Sequence, residues 1–140
     1  MDYTLELVVV PVTDIDRAKA FYSGQCGFVV DVDQTFGEAF RVVQLTPPGS
    51  ACSISIGKGL SKAEPGSSQG LQLCVTDIAA ARTELVARGL DVSPIRHIDQ
   101  GEWLDGPGGP WNSFMFFNDP DGNGWAIQEK PSGQTPSPNA

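Results

Sequence analysis

The tetrapeptide Val12-Thr13-Asp14-Ile15 recurs unchanged as Val75-Thr76-Asp77-Ile78, 63 residues further along the chain. A repeat of this period marks one supersecondary unit built twice, so the fold must hold that unit in two copies. The surroundings of the repeat agree in kind. Ala18 aligns with Ala81 and Tyr22 with Leu85, while Gly27 and Gly89 follow one residue out of step. In each copy an apolar strand, at about 4–12 and about 69–75, runs into Thr-Asp. Either residue can cap a helix by accepting a hydrogen bond from an orphan backbone N–H. Ile15, Ala18 and Tyr22, and again Ile78, Ala81 and Leu85, then fall on one helical face. The two glycines are natural stops, because a left-handed residue after a helix carries no steric cost for glycine.

Each predicted helix is followed by three stretches with strand character. These are 28–33, 40–45 and 52–56 in the first copy, and 92–98, 113–117 and 125–129 in the second. Turn residues separate them, notably Pro47-Pro48-Gly49 and Asp119-Pro120-Asp121-Gly122-Asn123. The fold class expected is α+β, as two tandem βαβββ modules. The first spans 1–57, a Gly/Ser/Lys-rich linker covers 58–68, and the second spans 69–130. Residues 131–140 hold almost nothing that could enter a core and are expected to be a disordered tail.

Composition removes several functional classes. A formal charge of −8 argues against nucleic acid, which needs a basic surface. The run Leu7-Val8-Val9-Val10 ends at Pro11, far short of the ~18 apolar residues of a membrane span. Asp2 and Glu6 stand before it in place of a basic n-region, so no signal peptide is expected. Cys26, Cys52 and Cys74 are odd in number and form no CxxC pair, which predicts reduced thiols and a cytoplasmic protein.

The stretch from Val10-Pro11-Val12-Thr13-Asp14 through Ala20-Phe21-Tyr22 to Gly27-Phe28, and the turn Asp119-Pro120-Asp121-Gly122-Asn123 before Trp125, resemble the glyoxalase/bleomycin resistance/dioxygenase (vicinal oxygen chelate) superfamily. With the repeat, the resemblance covers about residues 4–130. It implies mixed four-stranded sheets curled into a U, helices outside, and a ligand cavity inside. Strand alternation then assigns faces. Leu71, Leu73, Val75, Trp125 and Ile127 should pack against helices, leaving Gly70, Gln72, Cys74, Ala126 and Gln128 toward the cavity. Ile54 and Ile56 likewise leave Ser53 and Ser55 inward.

Metal-dependent members of that family ligate their ion from inward positions that fall here on Leu7, Ser53, Gly70 and Ala126. None offers the imidazole or carboxylate donors a first-row metal prefers. Glu6 and Glu129 lie next to such positions but out of phase with the cavity, and the single histidine, His97, lies elsewhere. No metal and no cofactor is therefore expected.

The stretch 99–112 (DQGEWLDGPGGPWN) is long for a connection without regular structure. Trp103 and Trp111 could close over a flat or amphipathic ligand, or pin the loop to the body or to a dimer partner. His97 and Glu102 could act as an acid/base pair. Arg41 is a ligand contact only if it faces inward, and Phe114 to Phe117 read as core on both faces. Three functions follow. The first is a metal-free protein that binds a small aromatic or cationic molecule, as the family's antibiotic-sequestering members do, through Leu7, Ser53, Ser55, Gly70, Gln72, Trp103, Trp111, Ala126 and Gln128. The second is a metal-independent enzyme of lyase, isomerase or dioxygenase type that relies on His97, Glu102 or a cysteine, or else a metal-dependent glyoxalase or dioxygenase with atypical ligands. The third is a module whose pocket has filled in. A homodimer is expected, since the family favours one and exposed sheet edges need covering.

Overall fold

The computed structural model describes residues 1–132, so most of the stretch read as a tail lies outside the described residues. The chain divides into two compact units. One is Met1–Ser68 with Asp119–Asn123, and the other is Gln69–Asn118 with the chain from Gly124 onward.

The first unit holds strand β1 (Leu7–Val9), helix α1 (Ile15–Ala20), and strands β2 (Val29–Phe36), β3 (Phe40–Thr46) and β4 (Ser53–Lys58). They form a mixed sheet in the order β1-β4-β3-β2, with β1 and β4 parallel. Asp14 caps α1 by accepting from the Arg17 backbone N–H at 3.0 Å, so the aspartate of the repeated Thr-Asp is the cap. Helix α1 runs into a π-helical turn (Phe21–Gln25), in which the Cys26 N–H reaches back to the Phe21 carbonyl. This turn accounts for the one-residue mismatch of the repeat. The first copy has one residue more between cap and stop glycine, and a wider helical turn absorbs it without moving Tyr22 off the buried face.

Val10, Ala18, Tyr22, Phe28, Val43, Leu45, Ile54 and Ile56 make the core of this unit. Tyr22 is fully buried and stacks on Phe28 with ring centroids 5.7 Å apart. Its hydroxyl donates to Asp119 Oδ2 at 2.7 Å. Asp119 also accepts from the Asn123 backbone N–H at 2.9 Å and from Asn123 Nδ2 at 2.7 Å. That amide donates in turn to the Pro11 carbonyl, and Asp121 accepts from Thr13 Oγ1. The turn DPDGN is thus a buried polar plug whose acceptors are matched by donors.

Arg41 lies on the helix side of this sheet. Its guanidinium bonds Asp33 through Nε at 3.1 Å and Nη2 at 3.0 Å, and pairs with Asp16 of α1 at 3.0 Å. Lys19 approaches Asp33 at 2.8 Å. The Arg41 hydrogen bond, reinforced by that from Lys19, holds the Asp33 carboxyl well below the usual carboxylate range. The conditional reading of Arg41 as a cavity residue is therefore answered: it belongs to an ion-pair cluster outside.

The second unit repeats the plan with strand β5 (Leu71–Val75), helix α2 (Ile78–Ala87), and strands β6 (Arg96–Asp99), β7 (Glu102–Asp105), β8 (Phe114–Asn118) and β9 (Gly124–Glu129). Asp77 caps α2 through the Ala80 N–H at 3.0 Å, and Gly89 ends it at φ 90°. The sheet order is β5-β9-β8-β6-β7. Five strands replace the four expected, because part of the presumed loop 99–112 folds as a hairpin. Its turn is Gln100-Gly101, both at positive φ, the pairing that two-residue hairpins favour. Ile78 of α2 is buried together with Leu90, Val92, Met115, Phe117, Trp125 and Ile127, and Phe117 stacks on Trp125 at 5.8 Å. No helix among the described residues is long and apolar enough to cross a membrane.

Tyr22→Phe removes a hydrogen bond to a buried carboxylate while keeping the ring stack. It should cost about 1.5–3 kcal/mol in urea unfolding. Asp33, with its lowered folded pKa, contributes stability that is complete above the unfolded value of about 3.9 and fades as pH falls toward the folded one. The stability gap between wild type and Arg41→Ala should therefore be widest above about pH 5 and narrow progressively below about pH 4.

Candidate functional site

The four strands β5, β9, β8 and β6 fix the site through their register. Trp125 and Ile127 of β9 are buried under the helix, so Ala126 and Gln128 take the other face. Gln72 pairs with Ala126 and Cys74 with Gln128 on one side, and Phe116 with Ala126 and Phe114 with Gln128 on the other. Arg96 opposes Phe114 and Ile98 opposes Trp103, which brings Trp103 to the same face.

The run Phe114 to Phe117 is therefore not core on both faces. Met115 and Phe117 are buried, whereas Phe116 is 37 % exposed and Phe114 half-buried. The Trp103 ring, 47 % exposed, meets both edge-on, at 5.4 Å from Phe114 and 5.5 Å from Phe116 with interplanar angles of 88°. The two phenyl rings are nearly parallel. Three aromatic rings thus hold one another in place on an exposed surface, where a ring entering from solvent meets both faces and edges.

Beside this wall runs a line of carboxamides. Gln72 Nε2 donates to Gln128 Oε1 at 2.7 Å, and Gln128 Nε2 donates to the Trp111 carbonyl at 2.8 Å. Gln72 Oε1 is left as an acceptor. Trp111 sits at φ 63°, a left-handed conformation unusual for a bulky residue, and the Gln128 bond holds its carbonyl. It enters the site through its backbone. Partial burial pushes the Cys74 thiol above its ordinary range, which keeps it protonated and a poor nucleophile near neutral pH.

Next to the aromatic wall, a cavity of about 600 Å³ opens on the same sheet, within the size range of small-molecule sites. Gly70, Ala126, Phe116, Asn118, Ser93 and Asp91 are among its lining residues. A Cβ built on Gly70 would have no heavy atom within 4 Å, so this position is open space.

Leu7, Ser53 and Ser55 lie on the first sheet, also away from its helix, where Leu7 pairs with Ser53 and Val9 with Ser55. Asp31 accepts from the Thr46 hydroxyl, since a carboxylate can only accept. Thr46 then accepts from Ser53 at 2.6 Å, and Ser53 from Gln44 Nε2 at 3.4 Å. The Ser55 hydroxyl is buried and takes no hydrogen bond among the described residues.

His97 and Glu102 are placed differently. By register both lie on the face of the β6–β7 hairpin opposite Trp103, and no hydrogen bond joins them among the described residues. The His97 ring donates from Nδ1 to the Gly106 carbonyl at 2.8 Å.

The residues present do not fit a metal. Leu7, Gly70 and Ala126 offer no side-chain donor, and the Ser53 hydroxyl is a poor one already held in a hydrogen-bond chain. Glu129 accepts from the Ile78 N–H at 2.9 Å as a second cap on α2, so it is turned toward the helix. Among the described residues no three His, Cys, Asp or Glu side chains converge.

Of the missed residues Phe116 and Asp91, one carried a signal in the sequence. Phe116 follows once Ala126 is placed, because the two strands are antiparallel neighbours. Asp91 has no such mark: it is one acidic residue in a connecting segment.

The sequence matches the model of the Glyoxalase/Bleomycin resistance protein/Dioxygenase superfamily over residues 4–127. Among solved structures, TnmS3, an antibiotic binding protein from Streptomyces sp. CB03234, is 32 % identical with a TM-score of 0.73, covering 92 % of this chain and 97 % of that one. A glyoxalase/bleomycin resistance protein from the same Streptomyces strain is 33 % identical with a TM-score of 0.69, at 89 % and 99 % coverage. A superfamily member from Sphaerobacter thermophilus is 25 % identical with a TM-score of 0.72, at 92 % and 98 % coverage. No curated protein matches the sequence.

Proposed function

Because the chain belongs to the glyoxalase/bleomycin resistance protein/dioxygenase superfamily, we propose that it uses the family's sheet to bind a flat aromatic small molecule without a metal, and that it binds rather than transforms it. The observation that carries this reading is the Trp103–Phe114–Phe116 wall beside a cavity of about 600 Å³. A ring slid against that wall buries apolar area on both sides and is aligned by the Gln72 and Gln128 carboxamides. Gly70 and Ala126 provide room where family enzymes place ligating side chains. The similarity to an antibiotic binding protein over nearly the whole of both chains supports a sequestering role.

Catalysis by His97 and Glu102 has less support, since both lie on the opposite face of the hairpin from the aromatic wall. Trp111 joins the proposed ligand-binding set through its carbonyl, and Leu7, Ser53 and Ser55 are proposed as ligand contacts on the first sheet. A homodimer suits the edge strand β2, whose Val29, Val32 and Phe36 are exposed, because an unpaired apolar edge favours a covering partner. The three free cysteines suit a reducing, cytoplasmic compartment.

Titration with the planar probe 9-aminoacridine, followed by tryptophan fluorescence and thermal shift, tests this reading. Binding should raise Tm, and Trp103→Ala should weaken affinity by about ten-fold or more. Ala126→Trp should abolish binding by filling the cavity, while His97→Ala should leave it unchanged. Saturable binding with no loss in Trp103→Ala or Ala126→Trp would place the ligand elsewhere.

A further inference from the structure

The cavity on the second sheet offers a ligand two kinds of surface. Phe116, Phe117, Trp125 and the small residues Gly70 and Ala126 give it apolar lining. Asp91, Ser93 and Asn118 give it polar groups, with Ser93 hydrogen-bonded directly to Phe116. Asp91 is the one charged residue among those lining the cavity. It takes no hydrogen bond or ion pair among the described residues. Six other acids are engaged within the fold: Asp33 and Asp16 by Arg41, Asp119 and Asp121 in the buried plug, Asp14 and Asp77 as helix caps. Ser93 is also engaged. Its hydroxyl donates to the Pro94 carbonyl and accepts from the Phe116 N–H, so it stiffens the wall between Asp91 and Phe116.

We propose that Asp91 is a cation subsite, and that the ligand this protein selects is a planar aromatic carrying a protonated nitrogen at one edge. The proposal rests on the reading of the aromatic wall as the ring site and adds what distinguishes one flat ligand from another. The ring lies over Gly70 and Ala126 against Phe116, and the N–H of the cation donates to the Asp91 carboxylate. Such a charge-assisted bond is stronger than a neutral one, and the nearby aromatic rings also favour positive charge. The net charge of −8 adds long-range attraction for a cation and repels anionic analogues. A neutral ring of the same shape keeps the stacking but leaves the carboxylate without a partner.

The matched probes 9-aminoacridine, cationic near neutral pH, and acridine, neutral there, share one ring system and isolate the charge. The full chain should bind the cation about ten-fold more tightly than the neutral ring, as read by calorimetry or fluorescence. Asp91→Asn should remove most of that preference and leave acridine affinity unchanged. Added salt should weaken the cation and not the neutral ring, because an exposed ion pair is screened. Since Asp91 holds no structural contact, Asp91→Asn should unfold at the wild-type temperature, which separates recognition from stability. Equal affinities for the two probes, or an undiminished preference in Asp91→Asn, would overturn the cation subsite while leaving the aromatic wall standing. Failure of both probes to bind would overturn both together.

Discussion

Burial of Trp125 and Ile127 against helix α2 is the constraint on which the site depends. Strand side chains alternate, so placing these two inward to the core commits Ala126 and Gln128 to the other face. Strand pairing then carries the commitment sideways, to Gln72 on β5 and to Phe114 and Phe116 on β8. Trp103 joins them only because the β6–β7 hairpin extends the same sheet by one strand. A slip of one residue in β9 would bury the carboxamides and expose the tryptophan, at a cost no ligand could offset. Core packing and the candidate site are thus two sides of one register.

The side chains at these positions suit the proposed metal-free binding better than metal ligation. Gly70 and Ala126 carry no side-chain donor, and their small size leaves volume in the cavity they line. Metal ligation needs several donors converging within a few tenths of an ångström. Stacking a flat ring needs a gap and an aromatic wall. The aromatic contribution comes from β7 and β8, strands outside the β5–β9 pair on which Gly70 and Ala126 lie. In the first sheet the corresponding face is polar, with a hydrogen-bond chain from Gln44 through Ser53 and Thr46 to Asp31.

Much of this could be read from the chain alone, and for identifiable reasons. The repeated Val-Thr-Asp-Ile, the helical spacing that follows it and the stop glycines act locally, so they specify both βα units without tertiary context. The faces of β5 and β9 were legible because apolar and small or polar residues alternate there. The π-helical turn was visible only as a one-residue mismatch between copies, with nothing local to say how the extra residue would be absorbed. Phe114 to Phe117 gave no alternation to read, and only pairing with β9 divides them into core and surface. The hairpin at 96–105 was hidden because its turn, Gln100-Gly101, lies in a stretch already crowded with Gly and Pro. Asp91 reaches the cavity through tertiary contacts that no local pattern records.

A crystal structure of the full chain grown with 9-aminoacridine and a divalent metal such as Ni²⁺ both present tests the account most directly. The account predicts the acridine ring against Phe116 and Trp103 over Gly70 and Ala126, with no metal among Leu7, Ser53, Gly70 and Ala126. A metal ion bound at those positions, or the ring seated away from the second sheet, would contradict it.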